Sequence, residues 1–281
     1  MWTADGVSLA VFDLKAGDAG RSVALAHATG FCGPVWAPVA ASLPASVGRA
    51  VAWDFRGHGR SERPGVPLSW WDCERDVRAV LANTDLDGPI GVGHSMGGVA
   101  LIMAELTRPG SFSGLVLVEP IVGSQPVRRA DHPMAVQARR RRRRFEAPGA
   151  VHAAYAARPP FSTWEPAALE AYLAGGLVDD GEDCTLACDP EIEAEVFTGA
   201  PAHGTLARLG ELDLPVHIVV GSAEDTYPVA WAEHLTGLIA GARLTVVEGG
   251  NHFLPMERPE LVAAEIAAMQ VPGDHELTRR R

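Results

Sequence analysis

Three residues lying far apart in the chain are of the types that together activate a hydroxyl group. Ser95 stands in Gly93-His94-Ser95-Met96-Gly97, Asp225 ends Gly221-Ser222-Ala223-Glu224-Asp225, and His252 lies in Gly249-Gly250-Asn251-His252-Phe253. A serine hydroxyl is a poor nucleophile at its free pKa and needs a general base that a third group holds in place. It also needs backbone N–H groups aimed where negative charge develops. The glycines two residues on either side of Ser95 have a use here, because side chains at 93 and 97 of a sharp strand-to-helix turn would collide with neighbouring elements. Such a turn also puts the Met96 N–H at a helix N-terminus, where unsatisfied donors favour an anion. The chemistry expected is attack of Ser95 on a carbonyl, with His252 as base and Asp225 as its orienting acid.

These three positions need elements that bring them together. Short β-branched runs recur at 7–14, 23–28, 48–53, 89–94, 114–119, 215–220 and 242–248, each ending in a turn signal. The middle runs are continuously apolar, which suggests strands buried on both faces. Helical stretches lie between them, at roughly 34–43, 70–84, 96–108, 228–240 and 258–270. Strands alternating with helices predict an α/β fold with a doubly wound, mainly parallel sheet. The functional loops would then lie at the carboxyl ends of the strands, where Ser95, Asp225 and His252 each follow one.

Between 122 and 204 the alternation stops. That stretch has no convincing strand and reads as helices at 132–146, 148–157, 165–175 and 189–198. The expected organisation is a core from 1–121 and 205–270, an inserted helical cap at 122–204, and a polar tail at 271–281.

The chain has 281 residues, 47% of them hydrophobic and 21% charged, the composition of an ordinary globular protein with a sizeable core. No run reaches the length of a membrane span, and the first residues lack the pattern of a signal peptide. The cysteines Cys32, Cys73, Cys184 and Cys188 show no CxxC pairing, so reduced thiols and a cytoplasmic location are expected. No metal or other cofactor is called for. A net charge of −11 argues against a nucleic-acid partner. Arg139 to Arg144 is an unbroken run of six arginines in a chain whose only lysine is Lys15. The run reads first as a solvated helical face. Its second reading is a basic patch that receives an anionic substrate or carrier.

Four segments resemble the α/β-hydrolase superfamily in its capped branch: "LAHATGF" (25–31), "DFRGHGRS" (54–61), "GHSMGG" (93–98) and "GSAEDTYP…GGNHFLPMERP" (221–259). The resemblance implies the α/β-hydrolase fold, with Ser95 as nucleophile, His252 as base and Asp225 as acid. It also implies an oxyanion hole built from the Met96 N–H and an amide of the loop after His27. The family usually has His-Gly there, whereas this chain has His27-Ala28-Thr29-Gly30-Phe31, so Phe31 is taken as the second donor with Gly30 next. Some relatives carry the acid after an earlier strand, which makes Glu119, at the end of GLVLVE, the alternative acid. Glu224 lies beside Asp225.

Other polar residues read as structural. His58 and His94 are expected to be turn residues, and Asp54 and Arg56 to hold their loop by charge-assisted hydrogen bonds. Phe145, Tyr155, Phe161, Trp164 and Tyr172 fall in the insertion, and two or three of them are expected to line a substrate pocket.

A serine at 95 is incompatible with the carboxylate nucleophile that epoxide hydrolases and haloalkane dehalogenases use. The expected activity is hydrolysis of small to medium apolar carboxylic esters through an acyl-enzyme. C–C bond hydrolysis, thioester cleavage or acyl transfer, and cofactor-free perhydrolysis use the same three residues. The non-enzymatic alternative is a sensor of a small ligand. The partner expected is a small-molecule substrate, with no membrane, and the oligomeric state is left open.

Overall fold

A computed structural model describes residues 2–17, 20–123, 127–145, 148–179, 181 and 183–270. The tail expected at 271–281 lies outside the described residues. Strands in chain order are β1 (Trp2–Ala4), β2 (Val7–Leu9), β3 (Val11–Lys15), β4 (Arg21–Ala26), β5 (Val47–Trp53) and β6 (Ile90–His94). They continue as β7 (Gly114–Val118), β8 (Arg144–Phe145), β9 (Leu177–Asp179), β10 (Cys184–Leu186), β11 (Val216–Gly221) and β12 (Arg243–Val247). The α-helices are α1 (Ala37–Ser42), α2 (Trp70–Asn83), α3 (Met96–Thr107), α4 (Pro133–Arg139) and α5 (Pro148–Ala156). After them come α6 (Pro166–Gly176), α7 (Pro190–Gly199), α8 (Val229–Gly237), α9 (Leu254–Glu257) and α10 (Pro259–Ala267).

Seven strands form one sheet in the order β12-β11-β7-β6-β4-β5-β3, parallel throughout except for β3, which runs antiparallel to β5. Every residue of β6, β7 and β11 is buried. Alternate residues feed two separate cores. Ala24, Ala26, Leu115, Leu117, Ile218 and Val220 pack on one face with α2 and α3. Val23, Leu25, Ile90, Val92, Val116 and Val118 pack on the other with α1 and α10. Burial on both faces explains why these strands read as continuous apolar runs.

Local chemistry sets the helix boundaries. The Ser69 side chain caps α2 and Asp72 returns the bond to the Ser69 N–H, a reciprocal capping box. The Asp189 carboxylate caps α7, with Pro190 at its first position. Helix α3 is buried on nearly every side, which suits a helix that starts directly beneath the central strands. Among the described residues, no helix is long and apolar enough to cross a membrane.

The N-terminal run expected as one strand is split into β2 and β3, and β1 pairs with β2 as a separate hairpin. The insertion contains all four expected helices, but it also contains a three-stranded antiparallel sheet, β8-β10-β9. Strands of two or three residues are too short to leave a periodic signal. Helix α4 ends at Arg139 rather than 146. Continuing it would set like charges four residues apart along the arginine run, which is unfavourable.

Candidate active site

Ser95 occupies the single residue between β6 and α3, with φ +56° and ψ −117°. A side chain is strained at such a φ, and a strained backbone persists only where its surroundings hold it. Here the Ser95 N–H donates to the Val118 carbonyl on the neighbouring strand, at 2.9 Å. The flanking glycines are required sterically. A Cβ on Gly93 would lie 2.5 Å from the Gly98 backbone, and one on Gly97 would overlap the Ala26 carbonyl. The turn leaves the Met96 N–H in the first turn of α3, where amides have no acceptor within the helix.

His252 lies in the loop between β12 and α9. Two carboxylates reach it, by different atoms. Oε2 of Glu119 is 3.4 Å from Nδ1 of the His252 ring, while Oε1 accepts the Gly221 N–H at 2.6 Å. Both oxygens of Asp225 instead accept the His252 backbone N–H, at 3.1 and 3.2 Å. Asp225, expected beside the imidazole, therefore holds the loop and not the ring, and the group at the ring is Glu119. The reason lies in the backbone: Glu119 follows β7 at φ +50°, which turns its side chain toward the histidine. Glu119 is buried, whereas Asp225 is exposed. The Tyr227 hydroxyl is buried, and burial together with the nearby Glu119 charge pushes its pKa well up.

His94 also acts on His252. Its Nε2 donates to the His252 carbonyl at 2.7 Å, and the two rings lie 4.9 Å apart. Burial first, then the neighbouring His252, lowers the His94 pKa well below the usual histidine range, so the ring is neutral. A neutral ring donating to a carbonyl carries its proton on Nε2. His58 is buried too, and that burial lowers its pKa to about 4.

The loop after β4 departs from expectation. The Phe31 N–H donates to the Ala28 carbonyl at 3.1 Å, closing a turn whose third residue, Gly30, has φ +79°. That amide is engaged within the turn, and Ala28, Thr29 and Gly30 line the cavity with it. The Phe31 ring instead meets Tyr172, Trp164 and His94, with centroids 5.3, 5.7 and 6.0 Å away. Nearby, Asp54 accepts the Gly33 and Arg60 N–H groups, and burial raises its pKa to about 6. Arg56 bonds Asp76, so the two expected loop-holding residues do so through separate partners.

Ser95 and His252 open into one cavity of about 980 Å³, which Asp225 and Phe31 also line. Two or three of the five aromatic residues of the insertion are expected here, and four of them, Tyr155, Phe161, Trp164 and Tyr172, line it. Phe145 does not, and faces an adjoining cavity instead. The sequence offered no signal for Tyr227 and Trp231, which line the cavity from the loop after β11 and from α8 respectively. Nor did it set Arg141 apart within the arginine run or point to Glu193, its partner in the cavity wall. Burial raises the pKa of Glu193, which Arg141 opposes, and Arg141 also reaches the Tyr172 hydroxyl at 3.3 Å. The four cysteines are buried.

A family model described as "Alpha/beta hydrolase family" matches residues 23–265. Monoglyceride lipase from Mus musculus is 42% identical over 82 residues, which are 27% of this chain and 26% of the lipase. The match thus spans about a quarter of that relative's length. Among solved structures, the thioesterase domain from the curacin biosynthetic pathway superposes with a TM-score of 0.81 at 17% identity, covering 95% of this chain and 98% of the other. E-2-(acetamidomethylene)succinate hydrolase superposes with a TM-score of 0.80 at 20% identity, covering 96% and 97%. At such identities the likeness is one of fold.

Proposed function

The chain belongs to the alpha/beta hydrolase family, and from that premise we propose that it is a serine hydrolase of small to medium apolar carboxylic esters. The observation that carries this reading is the meeting of Ser95, on its strained turn, with His252 in one cavity, while Glu119 engages the far side of the imidazole. In this account Nε2 of His252 takes the Ser95 proton as Oγ bonds to the substrate carbonyl. Glu119 stabilises the imidazolium that forms and holds its tautomer. The Met96 N–H and an amide of Thr29 or Gly30 receive the oxyanion, each donor supplying roughly 3 kcal/mol. The leaving alcohol takes the proton from His252. Water then attacks the acyl-enzyme by the same route and releases the acid.

The insertion is read as a cap that sets the substrate. Tyr155, Phe161, Trp164 and Tyr172 come from it, and with Phe31 and Phe253 they make an aromatic wall beside Ser95. A wall of this kind suits a compact apolar acyl group.

A fluorophosphonate probe followed by mass spectrometry tests the reading. A single adduct on Ser95, lost in His252→Ala, is the expected result. Labelling that persists in Ser95→Ala, or none in the wild type, would contradict it.

A further inference from the structure

The six arginines do not share one environment. Arg139 pairs with Glu191 and Glu195, Arg141 with Glu193, and Arg143 with Asp189 and Glu191, all on α7 or its cap. Because the chain leaves the helix at Arg139, successive side chains then turn to different sides. Arg140 and Arg142 face the other way, into a second cavity of about 700 Å³. Arg158 joins them there, its guanidinium 4.7 Å above the Tyr155 ring. Among the described residues, none that lines this cavity is acidic. Arg140 and Arg158 have no carboxylate partner among the described residues. In a chain of net charge −11, this is a concentrated positive site.

The second cavity adjoins the first. Arg141, Tyr155, Arg158, Pro160 and Phe161 line both, so a ligand can extend from Ser95 past the aromatic wall to these guanidinium groups. Guanidinium forks match phosphate oxygens in geometry and charge. A small neutral ester has no group to place there.

We infer that the arginine vestibule binds the phosphate of a substrate's leaving group, which makes the substrate class an acyl thioester on a phosphate-bearing pantetheine arm. The inference rests on the serine-hydrolase reading above and takes a thioester in place of the carboxylic ester as the acyl compound cleaved. Ser95 Oγ bonds to the thioester carbonyl carbon while its proton passes to His252. The C–S bond breaks, and the departing sulfur takes that proton to leave as a thiol. Water then releases the acid and restores the serine. The arm has two sources, free coenzyme A and a carrier protein, which share the phosphopantetheine chemistry.

The test compares three butyryl thioesters: those of coenzyme A, phosphopantetheine and N-acetylcysteamine, the last without phosphate. Wild-type KM for the coenzyme A thioester should be lower than for the uncharged one by about tenfold or more, with the gap closing as salt rises. Arg140→Gln/Arg158→Gln should erase most of that gap, and Arg140→Gln alone, which lies outside the Ser95 cavity, should narrow it and leave kcat/KM for the uncharged thioester unchanged. Equal response of the phosphopantetheine thioester locates recognition on the arm itself, and response to coenzyme A alone locates it on the nucleotide phosphates. A variant that leaves all three KM values unmoved, or shifts them equally, overturns the inference. Calorimetric binding of coenzyme A to Ser95→Ala, with and without the two glutamines, separates the two readings. Binding that needs the arginines, without turnover of any thioester, sinks the hydrolase reading alone. Turnover of the uncharged thioester without coenzyme A binding sinks the vestibule alone.

Discussion

Nε2 of His94 lies 2.7 Å from the carbonyl oxygen of His252, so the residue beside the candidate nucleophile also holds the loop of the candidate base. The relationship ties the central strand β6 and the loop after the edge strand β12 to one geometry. His94→Ala should therefore lower kcat by about ten- to a hundredfold with little change in KM, the cost of a base displaced by a fraction of an ångström. His94→Gln, which can still donate to the carbonyl, should recover part of the loss. Steady-state kinetics on p-nitrophenyl butyrate check both. Equal effects of the two substitutions would mean that only packing is involved.

Gly97 tests the turn itself. A Cβ there meets the Ala26 carbonyl, a backbone atom that cannot rotate away. Gly97→Ala should destabilise the protein by about 1–3 kcal/mol, read by urea denaturation, and reduce labelling of Ser95. A variant of unchanged stability would show that the turn has more room than its geometry indicates.

Acid should destabilise the fold through its buried histidines. Burial lowers the pKa of both His58 and His203 to about 4. Between about pH 6.5 and 4 the unfolded chain binds protons at these sites and the folded chain does not, so stability falls as pH falls through that window. Asp54 and Asp76, both raised to about 6 by burial, and Glu193, raised in the same way, oppose this trend, but His27, His94, His132 and His217 are lowered too, so the histidines outnumber the acids. Tm should be lower at pH 5 than at pH 7, and His203→Gln should flatten the difference. A Tm that rises on acidification would contradict this assignment.

Much of this architecture was legible because burial leaves compositional traces. β6, β7 and β11 are apolar throughout since both faces are covered, and the glycines around Ser95 mark a turn that admits no side chains. Two acids each follow a strand, and sequence alone does not tell which one reaches the imidazole. That depends on the positive φ of Glu119, a conformation no residue type announces when it is not glycine. The arginine run hid its division in the same way. Pairing of Arg139, Arg141 and Arg143 with α7 became visible only once the helix was seen to end at Arg139. The sheet of β8, β9 and β10 was hidden by the brevity of its strands.

The central claim is that Glu119, and not Asp225, supports the imidazole of His252. The most direct measurement is kcat for p-nitrophenyl butyrate in Glu119→Gln and Asp225→Asn, each confirmed to be folded. Glu119→Gln should lose about 10³- to 10⁴-fold, as expected when the carboxylate behind a catalytic imidazole is removed. Asp225→Asn keeps an oxygen able to accept the His252 N–H and should stay within about tenfold of the wild type. The reverse order, a large loss for Asp225→Asn and a small one for Glu119→Gln, would contradict the account.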